Sequence, residues 1–283
     1  MKNGSLKIIT VCYNTPNLIE PQYRSFMKNI KDDFDYVVYD TTHTHELTSG
    51  YTSEVIEICN RLGIRRIEVP IETYRMVSKE GDIHYPQWDT SQRAGKGITF
   101  AIQNSIEEEK GRILLVDIDV FAIRPIQISD YYEWDMVGIP SVRMDKYGEN
   151  IFYFTNQIFL INSEKINDHR MVDFGPCMIN ETNLDCGGKL YYLFKIQPEL
   201  TYKAFTNCLQ TDPSNELLNT PEISEFRRID YDIINSHIPQ VNDYIEIFDY
   251  SLLHFRSGTN WINLSNNSSR TDYLIGFLNN INK

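Results

Sequence analysis

Residues Arg112–Pro125 read RILLVDIDVFAIRP. Ile113–Val116 is a continuous apolar run, the pattern of a strand buried on both faces of a parallel sheet. It leads directly into two aspartates separated by one residue. Side chains alternate faces along a strand, so Asp117 and Asp119 are expected to point one way and Ile118 the other. Two carboxylates side by side at the end of a buried strand repel each other unless a cation joins them. Hard divalent ions such as Mn²⁺ and Mg²⁺ favour oxygen ligands and often keep waters and substrate phosphates in the rest of their shell. Asp117 and Asp119 are therefore candidate metal ligands.

Upstream of this stretch, short apolar runs alternate with helical ones. Lys7–Tyr13 (KIITVCY) predicts a strand, and Pro16–Ile30 a helix with proline in its first turn. Tyr36–Asp40 predicts a second strand, Thr52–Leu62 a helix and Arg66–Val69 a short third strand. Ser91–Lys110 has the start and stop signals of a longer helix. A β-α-β-α-β-α-β order implies an α/β fold with a mixed, mostly parallel central sheet flanked by helices. Ligands in such sheets lie beyond the carboxyl ends of the strands, which singles out Tyr13, Asn14, Asp40, Asp117 and Asp119.

Downstream the rhythm changes. Met136–Pro140, Ile151–Phe154 and Ile158–Asn162 predict strands without long intervening helices, and Gly187–Phe194 a helix. Residues 206–250 are polar and give no clear periodicity, and 263–283 predict a helix or tail. No repeat or low-complexity linker interrupts the chain. One domain over 1–283 is expected, with 6–125 as the ligand-binding half and 126–262 as the catalytic half.

The formal charge of −12 and the absence of any cationic run argue against a nucleic-acid partner. Five cysteines without metal-binding spacing are read as free thiols, as expected in a reducing cytoplasm. No signal-peptide core precedes the first strand, and no apolar stretch approaches the roughly 20 residues that span a bilayer. A cytoplasmic chain that visits membranes only peripherally is the expectation.

Two enzyme classes place DxD after a hydrophobic strand. Phosphatases of the haloacid-dehalogenase type use DxDx(T/V) with a nucleophilic aspartate, and LLVDIDV matches that pattern. They also need a later GDxxxD, which is absent downstream, and their motif usually opens the fold, whereas here about 110 residues come first. A nucleotidyltransferase usually carries a glycine-rich loop after its first strand, and VCYNTPN contains no glycine. ITVCYN, YVVYD, SQRAGKGITFAIQN, LLVDIDVF with Arg124-Pro125, and FTNQIFLIN together resemble the donor-binding half of GT-A type nucleotide-sugar-dependent glycosyltransferases. The resemblance covers residues 6–162. It implies a single Rossmann-like GT-A domain, with Tyr13, Asn14 and Asp40 on base and ribose and Arg93 reaching the nucleotide or diphosphate.

Two further segments extend the resemblance. LLHFRSGTNW is similar to the C-terminal histidine segment of these enzymes, especially HxxGxxKPW of the glycogenin-like group, with one extra residue before the glycine and no Lys-Pro. It implies that His254 completes the metal shell and Gly258 approaches the diphosphate; Arg256 is placed to supply the cation, with Trp261 following. ETNLDCGGKLYY resembles the segment that sets an acidic residue at a helix head beneath the acceptor. Asp185 is thereby the candidate general base of an inverting enzyme, with Glu181 in reserve and helix capping as its structural alternative. The implied reaction uses Mn²⁺ or Mg²⁺ and moves a sugar from a nucleoside-diphosphate sugar, foremost a UDP-sugar, to a hydroxyl acceptor such as a glycan. A non-catalytic nucleotide-sugar-binding protein is the alternative outside catalysis.

Overall fold

A computed structural model describes residues 6–44, 48–77, 83–84, 90–235, 245–256 and 267–281. Its first half runs β1 (Leu6–Cys12), α1 (Ile19–Asn29), β2 (Phe34–Asp40), α2 (Thr52–Leu62) and β3 (Arg65–Glu68). A ribbon of β4 (Met76–Val77) and β5 (Ile83–His84) precedes α3 (Thr90–Glu108), β6 (Arg112–Asp117) and β7 (Val120–Ala122). The second half runs β8 (Met136–Met144), β9 (Asn150–Asn162), β10 (Cys177–Ile179), β11 (Thr182–Leu184), α4 (Leu190–Ile196) and β12 (Tyr202–Ala204). It ends with α5 (Cys208–Thr211), α6 (Pro221–Asn235), β13 (Ile245–Phe248), β14 (Leu252–Phe255) and α7 (Asn267–Ile281).

The chain divides into two compact units that interleave along the sequence. The first comprises Met1–Pro16, Asp32–Asp117 and Ser129–Ala204; the second comprises Asn17–Lys31, Ile118–Ile128 and Phe205–Lys283.

The first unit is a mixed α/β layer structure on a seven-stranded sheet of order β12-β8-β9-β6-β1-β2-β3. Pairs β1–β2, β1–β6, β2–β3 and β8–β12 are parallel, and β9 runs antiparallel to both β6 and β8. The expected mostly parallel sheet is thus present. Its central strands are buried on both faces: Ile9, Val37, Tyr39, Ile113, Leu115, Phe159 and Ile161 cluster with Ile98, Ala101 and Ile102 of α3 on one, and Ile8, Val38, Leu114 and Leu160 are buried on the other. Helix α2 ends where Gly63 takes a left-handed φ of 66° and closes the last carbonyls. The two predicted strands Ile151–Phe154 and Ile158–Asn162 form one continuous strand of 13 residues. β9 pairs with β6 only through Ile158–Asn162, so Thr155–Gln157 run past the end of that neighbour.

The second unit is built on a three-stranded sheet of order β13-β14-β7. Helix α1 buries Ile19, Gln22, Ser25, Phe26 and Asn29, a stripe at helical spacing that is largely polar. That polarity has a purpose. β7 is an edge strand with unpaired backbone groups. Gln22 donates to the Val120 carbonyl at 2.8 Å and Asn29 to the Ala122 carbonyl at 2.7 Å, while Ser25 Oγ accepts from the Ala122 N–H at 3.1 Å. The 206–250 stretch, opaque to periodicity, contains α6 and β13. Phe226 of α6 stacks on Phe277 and Tyr273 of α7, with centroids 4.4 and 5.6 Å apart. Arg270 and Asp230 form a buried ion pair at 2.8 Å, and the Arg270 guanidinium lies 4.2 Å from the Phe255 ring centroid. Among the described residues, no helix is long and apolar enough to cross a membrane.

Candidate functional site

The strand order of the first unit reverses between β1 and β6, which makes their carboxyl ends a topological switch point. Val11 of β1 pairs with Asp117 of β6, and Cys12 with Asp40 of β2, so three strand ends finish side by side. Asn156, in the part of β9 that overruns β6, donates to both Asp117 oxygens at 2.9 and 2.8 Å. This holds the carboxylate in one orientation.

Tyr13 and Arg93, both expected at the nucleotide, are brought together here. The guanidinium of Arg93 lies 4.8 Å from the ring centroid of Tyr13 and 4.8 Å from that of Tyr74, and it donates to Thr44 Oγ1 at 2.6 Å. Burial pushes the Tyr74 phenol up to about 12, against the opposing pull of Arg93. Asn14 is half-buried just after Tyr13. Asp40, expected on base and ribose, is the last residue of β2. It is 0% exposed, accepting from Thr42 N–H and hydroxyl at 2.9 and 2.6 Å and pairing with Arg66 at 2.7 Å. One oxygen is held by the turn at Thr42 and the other by Arg66 of β3, so Asp40 shapes the strand end.

Asp185 is exposed, accepts from Ser91 Oγ and from the Cys186 N–H at 2.7 Å, and lines a cavity of about 520 Å³ with Gln92, Arg143 and Met178. It does not cap the following helix: α4 starts at Leu190, with Lys189 in the cap position. The glycines after it also have another reason than an approaching substrate. Gly187 has φ of +95°, and a Cβ there would lie 2.0 Å from the Phe154 carbonyl oxygen, so the close approach is to the protein's own strand β9. Glu181 sits at the exposed tip of the β10–β11 hairpin, where Asn180 and Glu181 have φ of 47° and 66°, and it pairs with Lys146.

β6 ends at Asp117, and Ile118-Asp119 form a turn rather than continuing the strand. The strand alternation expected across the DxD is therefore replaced by a turn, whose Asp119 carbonyl accepts from the Phe255 N–H at 2.9 Å. In the second unit this turn faces β14. Asp119 is 4% and His254 5% exposed, and His254 Nε2 lies 3.6 Å from Asp119 Oδ1. His254 Nδ1 is 2.8 Å from Glu246 Oε2, directly across the β13–β14 ladder. Asn207 donates to Glu246 Oε1 at 3.3 Å, and Arg256, exposed at the end of β14, has Nε 3.9 Å from Oε2. Burial alone would raise the Glu246 carboxyl, but the hydrogen bond and positive charge of His254, with Arg256, hold it below the ordinary glutamate value. Gly258 and Trp261 lie outside the described residues.

The donor set fits a divalent cation. One nitrogen and one oxygen donor about 2.1 Å from a shared ion at roughly 90–110° sit about 3–3.5 Å apart, close to the Asp119–His254 separation.

Sequence reasoning passed over Tyr74, Asn156 and Glu246. Glu246 left a trace. IEIF and LLHF, separated by Asp249-Tyr250-Ser251, read as a hairpin that sets the lone acidic residue of one strand opposite His254.

No family model matches the chain, and neither does any curated protein. Similar solved structures include two of the glycosyltransferase GlyE of Streptococcus pneumoniae TIGR4. The apo form has a TM-score of 0.38 and 11% identity, over 89% of this chain and 55% of that one. The other has a TM-score of 0.41 and 12% identity, over 98% of this chain and 63% of that one. This chain thus spans less than two thirds of the length of either.

Proposed function

We propose that the chain is a metal-dependent glycosyltransferase of the GT-A type. It transfers a sugar from a nucleoside-diphosphate sugar, foremost a UDP-sugar, to the hydroxyl of an acceptor such as a glycan. The observation that carries this reading is Asp119, in the turn that follows the hydrophobic strand ending at Asp117, buried beside His254 of β14, which Glu246 of β13 backs. Two carboxylates and an imidazole form an oxygen-rich donor set suited to Mn²⁺ or Mg²⁺.

In this mechanism Asp119 and His254 would hold the cation, with Asp117, oriented by Asn156, as a further ligand. A cation held there would supply positive charge to offset the charge developing on the leaving diphosphate. Tyr13, Asn14 and the Arg93–Tyr74 pair bind the nucleotide at the strand ends, and Arg256 contacts the diphosphate. Asp185 takes the proton from the acceptor hydroxyl as that oxygen bonds to the anomeric carbon on the face opposite the departing nucleoside diphosphate, whose bond to that carbon breaks, so the configuration inverts. Ser91 and the Cys186 amide hold that carboxylate in orientation.

The test is thermal shift with UDP and Mn²⁺, singly and together. The wild-type protein is expected to be stabilised most by the two together, and Asp119→Ala to lose that increment. No shift with any nucleotide and metal would sink the reading. Asp185→Asn is expected to lower turnover about 10²–10⁴-fold while nucleotide binding persists. An α-linked product from an α-linked donor, read by NMR, rules out inversion.

A further inference from the structure

Glu246 has a specific geometric relation to His254. The two residues are direct partners in the antiparallel register of β13 and β14, and Glu246 Oε2 lies 2.8 Å from His254 Nδ1. Ile245 and Ile247 on either side of Glu246 are buried, which fixes the strand that carries it. Asn207 donates to its other oxygen at 3.3 Å, so the carboxylate is itself oriented. A carboxylate only accepts, so in the neutral imidazole the proton of this contact belongs to Nδ1. Nε2 then carries the lone pair, and Nε2 is the atom 3.6 Å from Asp119 Oδ1.

We propose that Glu246 is a positioning residue: it fixes His254 as the Nδ1–H tautomer with the Nε2 lone pair turned toward Asp119, which pre-forms the site for a divalent cation. The proposal rests on the metal-binding reading above and deepens it. A histidine ligand whose far nitrogen is held by a carboxylate is restricted in ring orientation and made a better donor, and loss of such a partner typically weakens metal affinity about 10–100-fold. Without the carboxylate, the ring is free to place its proton on either nitrogen, and one of the two tautomers cannot ligate through Nε2.

The experiment has a metal-free arm and a metal arm. Long-range ¹H–¹⁵N NMR of the metal-free full chain, taken at a pH where the spectrum itself shows the neutral ring, is expected to show His254 protonated on Nδ1 and unprotonated on Nε2. The opposite tautomer overturns the proposal whatever the protein binds. In the second arm, Mn²⁺ affinity is measured by titration. Glu246→Ala is expected to lose about 10–100-fold, and Glu246→Gln, which keeps an acceptor oxygen for Nδ1–H, to retain most of the wild-type affinity. Equal affinity of wild type and Glu246→Ala overturns the positioning role. Failure of the wild type to bind Mn²⁺ overturns the metal-binding reading, and the tautomer measurement still decides the role of Glu246. If Glu246→Ala does not fold, the wild-type spectrum and the Glu246→Gln titration carry the test.

Discussion

The two units are held together by different chemistry. The first is a large sheet whose central strands are apolar at nearly every position and pack against α3 through Ile, Val, Leu and Phe side chains. In the second, the contacts that locate its elements are to a large extent buried and polar. Gln22, Ser25 and Asn29 tie α1 to an edge strand, Arg270 pairs with Asp230 between α7 and α6, and Glu246 holds His254 beside Asp119. Apolar packing tolerates exchange of one hydrocarbon for another of similar size. A buried hydrogen bond fixes a direction, and its loss leaves a partner unsatisfied. Asp119 and His254 therefore belong to the unit whose geometry is set by directed bonds, as the proposed metal site would require.

The comparison breaks most visibly at Arg270. Its side chain and that of Asp230 are 1% and 3% exposed, so Arg270→Ala strands a buried carboxylate. A loss of about 3–5 kcal/mol in denaturant unfolding is expected, and the joint change Arg270→Met with Asp230→Leu should recover much of it. A loss below about 1 kcal/mol for the single change would show that the second unit does not depend on this pair.

A smaller set of effects sharpens the contrast within the first unit. Leu115, 1% exposed in β6, is expected to lose about 2–5 kcal/mol as Leu115→Ala and less than about 1.5 kcal/mol as Leu115→Met. The counterpart in the second unit is Asn29→Leu, which keeps the branching at Cγ, adds volume and cannot donate to the Ala122 carbonyl. It is expected to cost about 1–3 kcal/mol by the same measurement. If Asn29→Leu is as mild as Leu115→Met, the polar stripe of α1 is not what seats it. Smallest of all is the exposed Glu20–Arg24 pair of α1, at 2.7 Å and one helical turn apart. Glu20→Ala is expected to change stability by no more than about 0.5 kcal/mol, because water screens the pair and both side chains lose freedom to form it. A larger effect would mean that polarity matters in this unit irrespective of burial.

Periodicity along the chain was sufficient for β1, β2, α2, α3 and β6, and for the parallel order that brings Tyr13, Asp40 and Asp117 to one edge. Local rules govern those features. A strand buried on both faces is apolar throughout, an amphipathic helix repeats at helical spacing, and a glycine after Leu62 ends a helix. The motif DxD and the downstream histidine also marked Asp119 and His254 before any coordinates. The remainder depended on residues distant in sequence. Asp40 looks like any strand-end carboxylate until Arg66 and Thr42 close over it, and Gly187 looks like room for a ligand until the Phe154 carbonyl takes the space. The turn at Ile118-Asp119 arises because the Phe255 amide claims the Asp119 carbonyl, 136 residues away by number. Glu246 becomes meaningful only in register with His254. Side-chain periodicity reports which face of an element is buried; which polar atom meets which across that face is decided by strand register and helix docking, and these exist only in the folded chain.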